Sequence, residues 1–204
     1  KFNLKNITED LLEAFLEAGE VAKQIIRRGV KITIKTDKSP VTDWDLAVDE
    51  ILRTKIEKIN PGVPIISEET VGINPKITSK TFWLIDPIDG TRDYINKRDE
   101  YTLNACLIID LEPAIGIVYA PEKDRLFFSY GKSLAFEIKN KEKKVLNCKK
   151  VHKNEIIGLE NSGNTPSEVL NIYKKFNVSK KIKMSSSFKF CVLAAGEADI
   201  YAAK

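Results

Sequence analysis

The hydrophobic pattern of this chain changes its period near residue 62, and this change limits the folds that the chain can adopt. Before that point, apolar residues recur every three or four positions, which predicts amphipathic helices over residues 8–28 and 42–59. Gly29 stands where a C-terminal cap belongs, and Thr42 is a suitable N-cap. After Pro61-Gly62, short apolar runs bounded by polar residues, Gly or Pro predict strands instead.

The predicted strands and the later helices indicate a layered arrangement. The strands cover residues 30–34, 63–66, 82–85, 103–109, 114–119, 126–129, 182–184 and 198–201. Helices over residues 166–176 and 186–195 alternate with the last two strands, as they do in α/β domains. We expect an α+β domain over residues 1–130 and an α/β domain over residues 131–204.

The composition excludes several classes of protein. A chain of 204 residues with 43% hydrophobic and 30% charged residues is neither collagen-like nor largely disordered. The net charge of +4 is too small to imply a nucleic-acid partner. The basic segment 139–153 lacks interleaved aromatic residues, so we interpret it as a hairpin with solvated lysines rather than a phosphate or nucleic-acid patch. No apolar run approaches the roughly 18 residues of a membrane span.

Cysteine and histidine usage narrows the chemistry further. Cys106, Cys148 and Cys191 are far apart and form no C-x-x-C pair, which favours reduced thiols in the cytoplasm. His152 is the single histidine, so a Ser-His-Asp or Cys-His mechanism would depend on that one residue. We therefore expect any catalysis to use carboxylates.

Two carboxylates follow the predicted strand at residues 82–85. Asp86 and Asp89 flank Pro87, which fixes its own φ and disfavours helix at the residue before it, so the chain must turn there. Carboxylates that converge on one point repel each other and stay ionised only if cations neutralise them. Oxygen ligands without His or Cys nearby suit Mg²⁺ or Mn²⁺ better than Zn²⁺.

Gly90 and Thr91 come directly after this pair of carboxylates. If a helix starts here, its free N–H groups can bind an anion such as phosphate, and Gly90 lets that anion approach the backbone. The alternative is a plain Asp-Gly surface turn, but a compound signal that follows an apolar strand favours the site.

Two further acids have ordinary explanations when each is considered alone. Glu68 follows the strand at residues 63–66, and a solvated acidic loop would account for it. Asp45 lies in the first turn of the second helix, where the helix dipole favours an acid. If the two strands end side by side, Glu68 comes close to Asp86 and Asp89.

Together these segments resemble the Mg²⁺-dependent, Li⁺-sensitive phosphatases of the inositol monophosphatase superfamily. The matching segments are Lys38-Ser-Pro-Val-Thr-Asp-Trp-Asp45, Ile66-Ser-Glu-Glu69, Trp83-Leu-Ile-Asp-Pro-Ile-Asp-Gly-Thr91 and Ser185-Ser-Ser-Phe-Lys-Phe-Cys191. Within the superfamily, the last segment and Ile115-Gly-Ile-Val-Tyr-Ala-Pro121 are most similar to the bacterial 3′(2′),5′-bisphosphate nucleotidases. The resemblance implies a layered αβαβα sandwich and hydrolysis of the 3′-phosphate of adenosine 3′,5′-bisphosphate. An inositol or sugar phosphatase is the alternative.

The resemblance also implies the site residues. Metal ligands would be Glu68, Asp86, Asp89, the carbonyl of Ile88 and, for further metal, Asp45, with two or three Mg²⁺ ions expected and Mn²⁺ possible. Asp45, Glu68 and Thr91 would be catalytic, with Asp45 ordering the attacking water and Thr91 as its hydrogen-bond partner. Substrate contacts would come from Asp89, Gly90, Thr91, Ser186 and Lys189. Ser186 and Lys189 also have an ordinary interpretation, as a helix cap and a surface lysine.

The match departs from the family pattern at its C-terminal end. The family's last metal carboxylate lies in a Trp-Asp-x-Ala-Ala-Gly segment, whereas this sequence runs Ala202-Ala203-Lys204 and has its Trp-Asp pair only at Trp44-Asp45. We therefore expect a truncated C-terminal domain with exposed apolar faces and a possible homo-oligomer. A chain that binds metal and phosphate without turnover is the third functional hypothesis.

Overall fold

In the part of the chain that the structure describes, the fold combines four helices with three sheets. One sheet is large and mixed, one is small and parallel, and one is a short antiparallel pair of strands. A computed structural model describes residues 2–29, 32–34, 40–69, 79–91, 98–132, 134–148 and 155–203. The helices are α1 (Leu4–Arg28), α2 (Asp43–Ile59), α3 (Ser167–Lys175) and α4 (Phe188–Ala194). The strands are β1 (Ile32–Ile34), β2 (Pro40–Thr42), β3 (Ile65–Ser67), β4 (Phe82–Asp89), β5 (Thr102–Ile109), β6 (Glu112–Ala120), β7 (Arg125–Tyr130), β8 (Ala135–Lys139), β9 (Glu142–Val145), β10 (Ile157–Glu160), β11 (Lys180–Lys183) and β12 (Ile200–Tyr201).

The two N-terminal helices form where the period of the sequence predicts them. Helix α1 begins at Leu4, one turn earlier than predicted, because the side chain of Asn3 accepts a hydrogen bond from the backbone N–H of Asn6 at 3.2 Å. At its other end, Gly29 has a φ of +91° and donates its N–H to Ile26 at 3.3 Å. Helix α2 begins directly after Thr42, whose side chain lies outside the described part of the structure.

A seven-stranded sheet in the order β3-β4-β5-β6-β7-β8-β9 forms the centre of the molecule. Strand β3 is parallel to β4, and every later pair is antiparallel. The β8-β9 hairpin turns at Asn140-Lys141, both with positive φ as a tight two-residue turn requires. This hairpin starts earlier than the predicted segment 139–153, of which residues 149–153 lie outside the described part. The sheet thus continues past residue 130, and the predicted domain boundary there stays a prediction.

A second sheet of three parallel strands, in the order β11-β10-β12, follows in the chain. Strand β10 was not predicted, because its four residues include Gly158 and Glu160 and show no clear apolar alternation. The last helix α4 begins at Phe188 rather than residue 186, because Ser186 adopts a positive φ of 52°. In open parallel sheets, ligands bind in the crevice outside the carboxyl ends of the strands, at the point where the strand order reverses. In this sheet the order reverses at β10.

Two hydrophobic cores stack these elements into five layers. Helices α1 and α2 cover one face of the large sheet, around the fully buried residues Leu11, Phe15, Leu52 and Trp83. A smaller core joins α4 to the opposite face and to β10, through residues such as Phe127, Leu159 and Phe188. Helix α3 covers the far side of the small sheet, where the Tyr173 hydroxyl donates to the carbonyl of Leu159. The resulting order is the expected αβαβα sandwich.

No helix among the described residues is long and apolar enough to cross a membrane.

Candidate active site

The pairing of β3 with β4 brings the first two predicted acids together. Ser67 lies opposite Ile85 in the parallel register, and the N–H of Glu68 donates to the carbonyl of Ile85 at 3.1 Å. Because parallel neighbours end at the same edge of a sheet, Glu68 is placed beside Asp86. The predicted meeting of these two strand ends is confirmed by this register.

A β-bulge brings the third acid to the same face of the sheet. Asp86 pairs with Asn104 and Asp89 pairs with Thr102, so two residues of β4 face one residue of β5. In a regular strand, residues three apart point to opposite faces, but the extra residue of a bulge restores them to one side. The Asp-Pro-Ile-Asp spacing therefore makes the two carboxylates neighbours.

The crowding of these acids changes the protonation of Asp86. Burial raises the pKa of Asp86 to about 8, and the charges of Glu68 and Asp89 act in the same direction. Glu68 also forms a side-chain hydrogen bond with Asp86. A carboxylate in this position is costly to ionise unless a cation offsets the repulsion.

The donor set fits a hard divalent cation. Oδ1 of Asp86 is buried and has no hydrogen-bond partner in the described structure, and the charged neighbours Glu68 and Asp89 offer carboxylate oxygens, which a hard cation prefers. Within the described ranges, no three His, Cys, Asp or Glu side chains already surround one point closely enough to hold a metal ion. The acids thus gather around Asp86 without being drawn into a closed coordination shell.

Helix α2 carries two buried acids toward the same edge. Asp45 is 2% exposed, and Asp49 lies one helical turn later on the same side and is 6% exposed. Asp49 accepts a hydrogen bond from the hydroxyl of Ser67, the residue before Glu68, and its pKa is raised mainly by burial. The contact with Ser67 holds the second turn of α2 near the end of β3.

Gly90 and Thr91 complete the turn after β4. Gly90 has a φ of +94°, a conformation that other residues adopt only with strain. The Thr91 hydroxyl donates to the carbonyl of Ile88 at 3.2 Å, so it fixes a predicted metal-ligating group. Residues 92–97, which would form the rest of the expected helix, lie outside the described part.

The segment from Ser185 to Lys189 lies against these acids. Ser187 donates its N–H to Oδ2 of Asp89, and Ser185 donates both its N–H and its hydroxyl to Oε2 of Glu100 at 3.0 Å. The Ser186 hydroxyl donates to the carbonyl of Glu100. Two distant parts of the sequence thus form one site.

Lys189 is buried in this segment, so its interpretation as a surface lysine is wrong. It is 8% exposed, and its ammonium donates to the carbonyl of Ser186 at 2.6 Å. Burial lowers the pKa of Lys189, while the charges of Asp89 and Glu100 oppose that shift. The Ser186 hydroxyl also accepts from the N–H of Phe188, as a residue near a helix start can.

A cavity of about 480 Å³ opens beside the acids on the face of the sheet opposite α1 and α2. Glu68, Asp86 and Asn104 form its polar end, while Leu84 and Val118 are among its apolar walls. A cavity with a few polar groups and apolar walls suits a small organic molecule with a charged end.

Sequence reasoning did not identify Asp49, Glu100, Asn104 and Ser187. Each acts through a contact between distant segments, which no local motif reveals. The three consecutive serines at residues 185–187 were the one available signal for Ser187.

These observations define a class of protein. Acidic side chains suited to a divalent cation, beside a lysine-bearing segment suited to an anion, provide the chemistry of a metal-dependent phosphatase.

The chain belongs to the inositol monophosphatase family, whose model matches residues 3–204. It is 34% identical to the 3′(2′),5′-bisphosphate nucleotidase CysQ of Buchnera aphidicola, over 97% of this chain and 77% of the relative. It is 27% identical to the CysQ protein of Escherichia coli, over 90% of this chain and 75% of the relative.

Solved structures confirm the fold. CysQ from Bacteroides thetaiotaomicron superposes with a TM-score of 0.74 at 23% identity, over 98% of this chain and 80% of that one. The extragenic suppressor protein SuhB from Bartonella henselae superposes with a TM-score of 0.79 at 19% identity, over 96% and 77% of the two chains.

Proposed function

We propose that this chain is a metal-dependent phosphomonoesterase that hydrolyses the 3′-phosphate of adenosine 3′,5′-bisphosphate. The observation that carries the proposal is the β4 bulge, which places Asp86 and Asp89 on one face beside Glu68. The two CysQ relatives described above support the choice of substrate.

The residues fit Mg²⁺, with Mn²⁺ as a substitute, and two or three ions would match the family. Glu68, Asp86, Asp89 and the carbonyl of Ile88 would hold the first ion, and Asp45 would help to hold the others. Bound Mg²⁺ supplies a water of lowered pKa and offsets negative charge on phosphate oxygens.

The remaining groups bind and orient the substrate. Asp45 would help to order the attacking water together with Thr91, and Thr91 would also keep the carbonyl of Ile88 in place through its hydrogen bond. Gly90 leaves room for a phosphate oxygen near the backbone. Lys189 and Ser186 would contact the nucleotide, and the ammonium of Lys189 would attract its negative charge.

The test is phosphate release by the purified chain from adenosine 3′,5′-bisphosphate across a range of Mg²⁺ concentrations, with inositol 1-phosphate as the competing substrate. Asp89→Asn should abolish release and leave the circular dichroism spectrum unchanged. Faster release from inositol 1-phosphate would favour the inositol phosphatase alternative. Absence of release from both substrates, with Mg²⁺ binding intact, would favour a chain that binds without turnover.

Two further features belong to this proposal. A cytoplasmic location is supported by Cys106, Cys148 and Cys191, all of which are free thiols. A homo-oligomer is supported by exposed aromatic side chains in the C-terminal part, Phe176 at 52% and Phe190 at 54% exposure, and sedimentation of the purified chain would test it.

A further inference from the structure

Ser187 contacts Asp89 on β4 and residues of the neighbouring strand β5. The family resemblance implied no role for it. Its N–H donates to Oδ2 of Asp89. Its hydroxyl donates to Oδ1 of Asn104 at 2.6 Å and lies 2.8 Å from the hydroxyl of Thr102. The partners are 83 to 98 residues away in the sequence.

The side chains around Ser187 form a closed ring of hydrogen bonds. Because the single Ser187 proton goes to Asn104, the Thr102 hydroxyl must donate to Ser187. The Asn104 amide then donates back to the Thr102 carbonyl at 3.2 Å and approaches its hydroxyl at 3.4 Å. Thr102 is fully buried, so the ring is shielded from competing water at that end.

The ring is built on the strand that faces the bulge. Asn104 pairs with Asp86 and Thr102 pairs with Asp89, so the same two residues of β5 that set the acids on one face also anchor Ser187. An anchored hydroxyl restricts the backbone of Ser187, and that backbone supplies the N–H bound to Asp89. The position of one carboxylate oxygen of Asp89 thus depends on a side chain that does not touch it.

We propose that Ser187 is a positioning residue that orients Asp89 for divalent cation binding, and this inference rests on the metal-ligand role of Asp89 in the proposed function. Groups that hydrogen-bond to a metal-ligating side chain set its orientation, and their loss weakens metal binding by about tenfold or more. The hydroxyl of Ser187 acts here through its own backbone N–H.

The experiment measures Mn²⁺ binding by calorimetry, without substrate and without reference to turnover. Ser187→Ala keeps the N–H but removes the hydroxyl anchor, and it should weaken Mn²⁺ binding by about tenfold. Asn104→Ala breaks the same ring from the opposite side and should have a similar effect, so the test survives poor folding of one variant.

Ser185→Ala is the matched control. It removes a hydrogen bond of the same segment to Glu100 and leaves the hydrogen bonds of Ser187 to Asp89 and Asn104 in place, so the change should leave Mn²⁺ affinity within about twofold of wild type. Thermal unfolding of both serine variants separates a general loss of stability from a loss of metal affinity.

Two results overturn the inference. Wild-type Mn²⁺ affinity in Ser187→Ala and Asn104→Ala would remove the positioning role, and so would an equal weakening in Ser185→Ala. Asp89→Asn shows which of the two proposals fails. If this variant binds Mn²⁺ as wild type does, the metal assignment of the proposed function itself is wrong. If only Asp89→Asn loses binding, the proposed function stands and the role of Ser187 falls.

Discussion

At the scale of single residues, the position of Asp86 disfavours folding of the metal-free protein but suits a metal ligand. Its carboxylate is placed among other acids, and its buried Oδ1 has no hydrogen-bond partner in the described structure. A site of this kind stores unfavourable electrostatic energy that a bound cation relieves. The sequence predicted that Glu68, Asp86 and Asp89 would meet, because strand ends and a proline turn are local features.

Asp86→Asn should stabilise the metal-free protein at alkaline pH. The pKa of Asp86 is about 8 in the folded protein against 3.8 in the unfolded chain, so ionisation disfavours folding. The cost is absent below the lower value, grows as pH rises between the two, and is complete above the higher. We expect a gain of about 1–2 kcal/mol above pH 8, because partial exposure screens the charge.

Urea unfolding at several pH values, without metal, measures this difference. Added Mg²⁺ should stabilise the wild type through linkage but leave Asp86→Asn almost unchanged. Equal stability of the two proteins at every pH would contradict the electrostatic origin of the raised pKa.

At the scale of elements, the sequence predicted segments better than it predicted their partners. Runs such as those around Trp83 and Leu107 are apolar enough to identify β4 and β5. Strands β8, β9 and β10 contain lysine or glutamate and gave no comparable pattern. The bulge between Asp86 and Asp89 depends on how β4 pairs with β5, and the buried place of Lys189 depends on how α4 packs. Such pairings are set by tertiary contacts, which a local pattern does not encode.

The contact between α1 and β6 gives a prediction at this scale. A Cβ atom on Gly19 would overlap with Cε1 of Tyr119, a residue that is 2% exposed and cannot move away easily. Gly19→Ala should therefore lower the free energy of unfolding by about 1–3 kcal/mol, although alanine favours the helix by about 1 kcal/mol.

Gly163→Ala is the comparison variant, because a Cβ there meets no atom within 4 Å and the residue has no positive φ. It should leave stability unchanged or slightly raised. Urea unfolding curves of both variants provide the measurement, and a stabilised Gly19→Ala would mean that α1 and β6 are farther apart than described.

At the scale of the whole molecule, Arg125 connects the large sheet to the segment after α4. Its guanidinium pairs with Glu137 on β8, which is fully buried, and forms two hydrogen bonds with Glu197, of which the longer is 3.1 Å. The same guanidinium lies 4.9 Å from the ring centre of Phe127 and 5.5 Å from that of Phe188. These contacts therefore link the large sheet to α4 and to the segment that follows it.

The two acids of this contact should differ in their energetic weight. Glu197 is 47% exposed, so Glu197→Gln should cost at most about 1 kcal/mol of unfolding free energy. Arg125→Met leaves the buried Glu137 with Lys144, at 2.8 Å, as its remaining ionic partner, and should cost about 3–5 kcal/mol. The double variant Arg125→Met/Glu137→Met removes both buried charges and should recover much of that loss, because apolar side chains can fill the same space.

Denaturant unfolding followed by fluorescence and circular dichroism would test this order. If the Arg125 contact couples the layers, wild type unfolds in one transition and Arg125→Met unfolds in two, with the part around α4 lost first.

Burial acts to raise the pKa of Glu137, but its hydrogen bonds to Arg125 and Lys144 outweigh it and hold the pKa below the ordinary value. The stabilisation is therefore complete above the unfolded-chain pKa of 4.5 and is lost as pH falls through the lower folded value, so the penalty of Arg125→Met should shrink in acid. A penalty that stays constant from neutral to strongly acidic pH would show that packing of the arginine stem, rather than its charge, joins the two sheets.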